Sequence, residues 1–256
     1  MFIEAGGHRL STVQIGTGPR TLVTHGGWAG SWELWLEPLQ LMQEQWRGIA
    51  YDHRGSGVST APATDIGPQE LVDDLFVVLD RYGVDRCVLA AESMGAMTCL
   101  QAVVERPERF EGLVLVGGLP APPPTPLDTT SVRADYPAYV AAFVDACVPE
   151  PDSEHLRRWG RQILLRADPE AAARLLETFD DGYVAPDLSA VTVPTLVVHG
   201  ELDAVVPLGV GQAVAAAIAD AELVVIAGAG HVPTVTRPRE VVDAITSWAG
   251  RVLPQP

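Results

Sequence analysis

Lysine is absent from the 256-residue sequence, in which all 17 basic residues are arginine. Enzymes that form a Schiff base, that activate a serine with a lysine, or that bind nucleotide phosphates through a P-loop lysine all need this side chain. The missing residue type therefore excludes these three chemistries before any motif is considered.

Cysteine is scarce, and the sequence contains only Cys87, Cys99 and Cys147. An odd number without paired spacing argues against a disulfide framework, and no Cys/His cluster indicates a zinc site. The first residues lack the basic and apolar regions of a signal peptide, and no apolar run approaches the about 18 residues of a membrane span. We therefore expect buried thiols in a cytoplasmic protein.

Positive charge is also in short supply, because 33 acidic residues face 17 basic ones and the formal net charge is −16. A surface this negative repels phosphate backbones and anionic lipid headgroups. We expect no nucleic-acid partner and no membrane partner. The expected partner is a small apolar substrate, and the sequence leaves monomer and homodimer equally open.

Short runs of Val, Leu and Ile recur along the chain: TLVTHGG at 21–27, RGIAYDHRG at 47–55, RCVLAAES at 86–93, FEGLVLVGG at 110–118, PTLVVHG at 194–200 and AELVVIAG at 221–228. Continuous apolar runs of this length are typical of strands buried on both faces of a parallel sheet. Before them, weak alternation around Gly6 and Gly7 predicts a two-stranded hairpin over the first fifteen residues.

Segments with helical periodicity separate the later runs, at 68–82, 94–105, 209–219 and 238–250. The first of these begins at Pro68 and places Leu71, Leu75 and Leu79 on one face, and Gly83 follows as the expected C-terminal cap. Alternating strands and helices over this length predict a doubly wound α/β sheet.

A proline-rich stretch, PAPPPTP at 120–126, interrupts this alternation. The next 60 or so residues show helical patterns at 134–146, 153–166 and 169–179 without strand runs. We predict a helical cap at 120–188 inserted into a core formed by 1–119 and 189–256. Its aromatic residues either line a pocket, for which Tyr139 and Trp159 are the candidates, or pack the cap against itself.

Ser93 is the candidate nucleophile, because it lies in Ala91-Glu92-Ser93-Met94-Gly95 between a buried strand and a helix. A tight strand–turn–helix elbow pushes the serine Oγ out of the sheet and needs small residues two positions before and after it. Ala91 and Gly95 meet that requirement. A serine that only caps the following helix would not explain these small neighbours.

A serine nucleophile needs a base, and the base needs an acid to orient it. His231 follows the last predicted strand, and Asp203 follows the strand at 194–199, so both lie above the carboxyl ends of the strands. Glu201, two residues from Asp203, is the competing acid. The other five histidines are placed less favourably: His8 lies in the hairpin and His155 in the cap, while His25, His53 and His199 precede loops and are expected to be structural.

An oxyanion hole needs two backbone N–H groups near the reacting carbonyl. Met94 supplies one, because it follows the nucleophile and opens a helix whose dipole favours an anion. We assign the second to Gly27 in His25-Gly26-Gly27-Trp28, where two glycines allow close backbone approach. Trp28 either lines the pocket or covers the sheet.

These motifs together resemble the α/β-hydrolase superfamily with a serine nucleophile, and the resemblance covers nearly the whole chain apart from the cap. It rests on HGGW at 25–28, YDHRGSGVS at 51–59, AESMG at 91–95, HGELD at 199–203 and GAGHVP at 228–233. One departure is Ala91, where the family usually has glycine. In the second motif, Asp52 and Arg54 resemble a family element that ties loops together.

The resemblance implies an α/β-hydrolase fold: an eight-stranded, mostly parallel sheet flanked by helices, with a helical lid and no cofactor. By motif match it assigns Ser93 as nucleophile, Asp203 as acid and His231 as base. It also assigns Gly27 and Met94 to the oxyanion hole.

A serine in place of an aspartate argues against the haloalkane dehalogenase and epoxide hydrolase branches, and the GGSWG elbow of proline iminopeptidases is absent. Acyl transfer to water remains, and we expect an ester or lactone hydrolase that acts on a small to medium apolar substrate. Three alternatives stay open: a carbon–carbon hydrolase of meta-cleavage products, a biosynthetic role such as thioester release, and a ligand receptor that hydrolyses slowly.

Overall fold

An eight-stranded sheet forms the centre of the protein, whose computed structural model describes residues 1–123, 127–179 and 183–254. Its strands in chain order are β1 (Phe2–Ala5), β2 (His8–Ile15), β3 (Arg20–His25), β4 (Trp46–Tyr51), β5 (Cys87–Glu92), β6 (Phe110–Val116), β7 (Thr195–Gly200) and β8 (Ala221–Ile226). Their spatial order is β1-β2-β4-β3-β5-β6-β7-β8. The β1–β2 and β2–β4 pairs are antiparallel and the others parallel, which confirms the predicted α/β fold.

Strand β5 lies near the middle of this sheet, between β3 and β6. All six of its residues are buried, as its uninterrupted apolar run predicts. In register with it, Ala91 is paired with His25 on one side and with Leu115 on the other. The carboxyl ends of three parallel strands therefore meet at the residue where the chain turns toward Ser93.

Ten α-helices occur in the described residues: α1 (Leu36–Met42), α2 (Pro68–Arg81), α3 (Gly95–Glu105), α4 (Thr129–Ala134), α5 (Tyr136–Cys147), α6 (Glu154–Leu164), α7 (Pro169–Glu177), α8 (Leu208–Ala217), α9 (Pro233–Thr236) and α10 (Pro238–Val252). Helices α2, α3 and α8 bury apolar side chains in one core, and α1 and α10 in a second core across the sheet. The predicted helices are present, with ends that differ by at most two residues.

The segment between β6 and β7 contains α4 to α7 and no strand among its described residues. A third apolar core joins these helices to the sheet through Trp28, Met94 and Met97, which pack with side chains of α5, α6 and α7. Helix α4 was not expected from the sequence. Residues 124–126 of the proline-rich stretch lie outside the described residues, and the division of the chain into core and cap stays a prediction.

All three cysteines are unpaired and buried, as expected. Across residues 1–123, 127–179 and 183–254, no helix combines the length and apolar character that crossing a membrane requires.

The loop after β4 is held by buried polar contacts. Asp52 accepts hydrogen bonds from the backbone N–H of Trp32 at 2.8 Å and of Val58 at 3.0 Å. The guanidinium of Arg54 donates two hydrogen bonds of 2.6 Å to the carboxylate of Asp74 on α2. In this structure both side chains therefore tie loops to the core.

We expect Asp74→Ala to lower the free energy of unfolding by about 3–5 kcal/mol, because it leaves the buried Arg54 charge without its partner. The side chains of Arg54 and Asp74 are only 5% and 1% exposed. The matched control on the same helix is Asp80→Ala. The carboxylate of Asp80 is 66% exposed and pairs with Arg109, so its removal should lower the free energy of unfolding by less than about 1 kcal/mol. Urea unfolding of both variants measures the difference, and equal losses would contradict this account.

Candidate active site

Ser93 occupies a sharp turn between β5 and α3, with a φ of +53° that non-glycine residues rarely adopt. The turn is held by a 2.9 Å hydrogen bond from the Ser93 N–H to the Val116 carbonyl and by a 3.2 Å bond from the Leu119 N–H to the Ser93 carbonyl. A backbone held in this region carries strain of about 1–3 kcal/mol, which the surrounding contacts must outweigh.

The residues on either side of the turn have no room for larger side chains. A Cβ added at Gly95 would lie 2.3 Å from the carbonyl oxygen of Gly26, inside van der Waals contact. Ala91 is fully buried in β5, and its methyl group is accommodated there. The departure from the usual glycine at position 91 is therefore compatible with the elbow.

His231 connects the serine to an acid. Its Nε2 lies 2.8 Å from Ser93 Oγ, and its Nδ1 lies 2.8 Å from Asp203 Oδ2. Because a carboxylate only accepts, Nδ1–H donates to Asp203, which leaves Nε2 to accept the serine hydroxyl proton. All three residues are at most 8% exposed, so bulk water screens these contacts little.

Asp203 is fixed by several donors. Its Oδ1 accepts the N–H groups of Val205 at 2.9 Å and Val206 at 2.8 Å. Burial acts to raise the pKa of Asp203, but the hydrogen bonds from His199 and His231 outweigh it, and the pKa lies well below its usual value. A charged carboxylate is therefore present to stabilise a protonated His231.

Glu201, the competing acid, is exposed, and its Oε2 accepts the N–H of Gly228 at 2.9 Å. His231 Nδ1–H donates its hydrogen bond to Asp203 and not to Glu201. The structure thus brings together Ser93, Asp203 and His231, and it leaves Glu201 as a support of the loop after β8.

The backbone of Gly27 passes directly beside the serine, because a Cβ added there would lie 3.0 Å from Ser93 Cβ. Within the described residues, neither the N–H of Gly27 nor that of Met94 donates to a protein acceptor. The Gly27 carbonyl oxygen accepts a hydrogen bond from His53 Nε2 at 3.0 Å. Two free N–H groups therefore lie close to the nucleophile, as an oxyanion hole requires.

His25 supports the same loop without reaching the serine. Its ring stacks on His53 with centroids 5.0 Å apart, and Nδ1 donates to the Gly26 carbonyl at 2.7 Å. Burial, helped by the charge of His53, lowers the pKa of His25 to about 3, against a smaller opposing effect of the Gly26 hydrogen bond. His25 is therefore neutral and structural.

Two cavities meet at Ser93 and Trp28. The smaller, about 50 Å³, is lined by Trp159 of α6 and by His231, and almost all of its other lining side chains are apolar. The larger, about 230 Å³, is lined by Tyr139 of α5 together with Met94 and apolar side chains of the segment between β6 and β7. All three predicted pocket residues thus line cavities next to the serine, and their contact with substrate stays a prediction.

Trp28 both lines the cavities and anchors the segment between β6 and β7. Its Nε1–H donates to the Ala172 carbonyl at 2.8 Å, and its ring makes edge-to-face contacts with Tyr139 and Phe143 at centroid distances of 5.5 and 5.0 Å. Of the two roles left open from the sequence, the structure places Trp28 in the wall of both cavities.

Two buried residues at the site, Glu150 and Glu92, were given no role from the sequence. Glu150 Oε1 accepts the N–H of Gly230 at 2.8 Å, next to a 2.9 Å bond from the His231 N–H to the Cys147 carbonyl. Glu92 accepts the hydroxyl of Thr234 at 2.8 Å; burial, opposed by this bond, raises the pKa of Glu92 to about 7. Of the two, only Glu92 had a signal, its place before the serine. His199, expected to be structural, contacts Asp203, which the sequence did not indicate.

A family model described as alpha/beta hydrolase fold matches residues 20–158, more than half of the chain, and a second model, described as TAP-like protein, matches residues 181–247. The chain therefore belongs to the alpha/beta hydrolase fold family. It is a hydrolase of that type.

Known proteins align over almost the full length. RutD of Pseudomonas syringae pv. syringae, provisionally named a carbamate hydrolase, is 29% identical over 94% of this chain and 97% of its own. A thermophilic esterase from Thermogutta terrifontis is 25% identical with a TM-score of 0.87, covering 99% and 97% of the two chains. An enol-lactonase from Burkholderia xenovorans LB400 is 20% identical with a TM-score of 0.90, covering 98% and 100%. The last likeness shows the fold alone.

We expect Gly95→Ala to lower the free energy of unfolding by about 1–3 kcal/mol, because the added methyl group overlaps the Gly26 carbonyl. In Gly250→Ala, the control on α10, the added methyl meets no atom within 4 Å. Its unfolding free energy should stay the same or rise by up to about 1 kcal/mol, since alanine favours a helix. Urea unfolding measures both, and a Gly95→Ala variant as stable as the control would refute a tight elbow.

Proposed function

We propose that this protein is a serine hydrolase that cleaves a carboxylic ester or lactone of a small to medium apolar substrate through an acyl-enzyme. The observation that carries the proposal is the pair of 2.8 Å contacts that link Ser93 Oγ to His231 and His231 to Asp203. A serine hydroxyl is a weak nucleophile at neutral pH, and this arrangement supplies the base that activates it.

In the first half of the proposed reaction, Ser93 Oγ attacks the substrate carbonyl while His231 Nε2 takes its proton. The negative charge that develops on the carbonyl oxygen is met by the N–H groups of Gly27 and Met94. His231 then gives the proton to the leaving alkoxide, and the C–O bond breaks. The acyl group stays on Ser93 as an ester, and Asp203 stabilises the transient imidazolium.

In the second half, water replaces the alcohol. His231 takes a proton from the water as its oxygen attacks the acyl carbonyl, and the same N–H groups meet the oxyanion. The Ser93–acyl bond breaks, the proton returns to Ser93 Oγ, and the acid leaves. No further group is required, because each proton removed by His231 is returned within the same half-reaction.

The substrate class follows from the surroundings of Ser93. The cavities that meet at Trp28 are lined mainly by apolar side chains, including Tyr139 and Trp159, which favours an uncharged and largely apolar acyl or alcohol group. A formal net charge of −16 disfavours anionic substrates. Relatives named as an esterase and a carbamate hydrolase support cleavage at an ester-like carbonyl.

Carbamate hydrolysis is the second candidate, favoured by the near full-length similarity to RutD of Pseudomonas syringae. The carbamate carbonyl would be attacked by Ser93 in the same way. A matched series of esters, lactones and carbamates with the same leaving group would rank the two candidates by kcat/KM.

The test of the proposal is labelling with a fluorophosphonate, located by peptide mass spectrometry, beside turnover of p-nitrophenyl esters of increasing chain length. We expect stoichiometric modification of Ser93 and ester turnover in the wild-type protein, and neither in a folded Ser93→Ala variant. Ser247→Ala, on the exposed side of α10, is the control and should behave as wild type. Labelling without turnover of any substrate would favour the receptor alternative, and no labelling of Ser93 would contradict an activated serine.

A second prediction separates the two candidate acids. Asp203→Asn removes the carboxylate that orients the His231 ring and stabilises its protonated form. We therefore expect kcat for a p-nitrophenyl ester to fall by about 10⁴-fold. Glu201→Gln keeps an oxygen for the Gly228 N–H, so its kcat should change by no more than about twofold. If Glu201→Gln were the more damaging of the two, the assignment of the acid would be wrong.

A further inference from the structure

His199, on β7, contacts Asp203 of the proposed triad. Its Nε2 lies 3.3 Å from Asp203 Oδ2 and 2.8 Å from the Val206 carbonyl oxygen. The side chains of His199 and Asp203 are both fully buried. Since both neighbours of Nε2 only accept, the ring carries its proton there, donates it to the Val206 carbonyl and holds it within reach of the Asp203 carboxylate.

Asp203 Oδ2 therefore faces two imidazole N–H groups, that of His231 in a 2.8 Å hydrogen bond and that of His199 at 3.3 Å. Together with the Val205 and Val206 N–H groups on Oδ1, the carboxylate has four donors around it. Three of these fix the carboxylate independently of the base that it serves.

The ring of His199 packs closely against Gly211 of α8, which has no side chain to displace it. A Cβ added at Gly211 would lie 2.4 Å from His199 Nδ1, so glycine is the residue that lets the ring reach Asp203. In the described part of the chain, His199 Nδ1 has no hydrogen-bond partner. The ring is therefore positioned by packing on one side and by its Nε2–H on the other.

We propose that His199 is a positioning residue of the hydrolase: it holds the Asp203 carboxylate in place for His231 and withdraws part of its negative charge, which weakens the attraction between Asp203 and a protonated His231. This inference rests on the serine-hydrolase function proposed above. Its consequence is that loss of the His199 contact should strengthen the attraction between Asp203 and a protonated His231.

The groups that face this pair define what else could titrate. His231 faces Ser93 Oγ and Asp203, and Asp203 faces His199, His231 and the thiol of Cys147. Glu92, whose pKa burial raises to about 7, lines the same cavity as Ser93 and His231. Burial, reinforced by Asp203 and Glu92, raises the pKa of Cys147 well above its usual value, so that thiol stays neutral. Burial opposes the charged form of His199, but the bonds to Asp203 and Val206 outweigh it and raise the pKa of His199.

The first experiment compares His199→Met with His199→Gln, two side chains of similar shape of which only glutamine can donate to Asp203. We expect the acid limb of the kcat/KM profile for a p-nitrophenyl ester to move upward by about 0.5–1 pH unit in His199→Met, the worth of one hydrogen bond. His199→Gln should restore most of this shift. A merely structural role for His199 would lower stability in both variants and leave the profile unmoved.

The second experiment shifts the His199 ring and leaves His199 itself unchanged. Gly211→Ala pushes a methyl group toward His199 Nδ1, whereas a methyl group added at Gly209 on the same helix meets no atom within 4 Å. We expect an upward shift of the pH profile in Gly211→Ala and a wild-type profile in Gly209→Ala. If His199→Met does not fold, the comparison of Gly211→Ala with Gly209→Ala tests the positioning role of His199.

The readout that separates this inference from the proposed function is the NMR titration of the His231 ring in the resting protein, which needs no turnover. An upward shift of that midpoint in His199→Met, reversed in His199→Gln, supports the role of His199 even if no ester is hydrolysed. Unchanged midpoints in His199→Met and in Gly211→Ala would overturn the inference while leaving the serine hydrolase intact.

Discussion

The site depends on the turn that takes the chain from β5 into α3 through the single residue Ser93. A φ of +53° at a serine is unfavourable by itself, and it persists because hydrogen bonds from β6 and its following loop hold both sides of the residue. The same turn sets the distance to the loop after β3, because Gly95 lies against the Gly26 carbonyl with no space for a methyl group. One close backbone contact at the centre of the sheet thus places both the proposed nucleophile and the loop proposed to bind the oxyanion.

The acid and the base are held by different parts of the chain. Asp203 is fixed within the loop after β7 by backbone N–H groups and by His199. The loop that carries His231 is fixed from the segment between β6 and β7, through the Cys147 carbonyl and the Glu150 carboxylate. The segment that lines the cavities beside Ser93 therefore also holds the proposed base, so we expect the shape of the cavities and the position of His231 to depend on each other.

The fold was predictable because its strands are uninterrupted apolar runs that end in small or polar residues, and the elbow because small residues flank Ser93 in the chain itself. Helix α4 was missed because six residues carry too little periodicity to stand out. Helix α3 begins at Gly95 and not at Met94 because the elbow takes the preceding residues. Glu150 was missed because its role depends on a contact between residues 80 apart in the chain. His199 was expected to be structural, but its contact with Asp203 was not predicted because it depends on a packing gap at Gly211.

The central claim is that Ser93 becomes acylated during turnover. Its most direct test is a rapid acid quench of the wild-type protein with a p-nitrophenyl ester, with the intact mass and the modified peptide identified by mass spectrometry. The account predicts one acyl group per chain on the peptide that contains Ser93, formed as p-nitrophenol is released and lost as the acid appears. Turnover of the ester with no acylated Ser93 under any quench time, or with the acyl group on another residue, would contradict it.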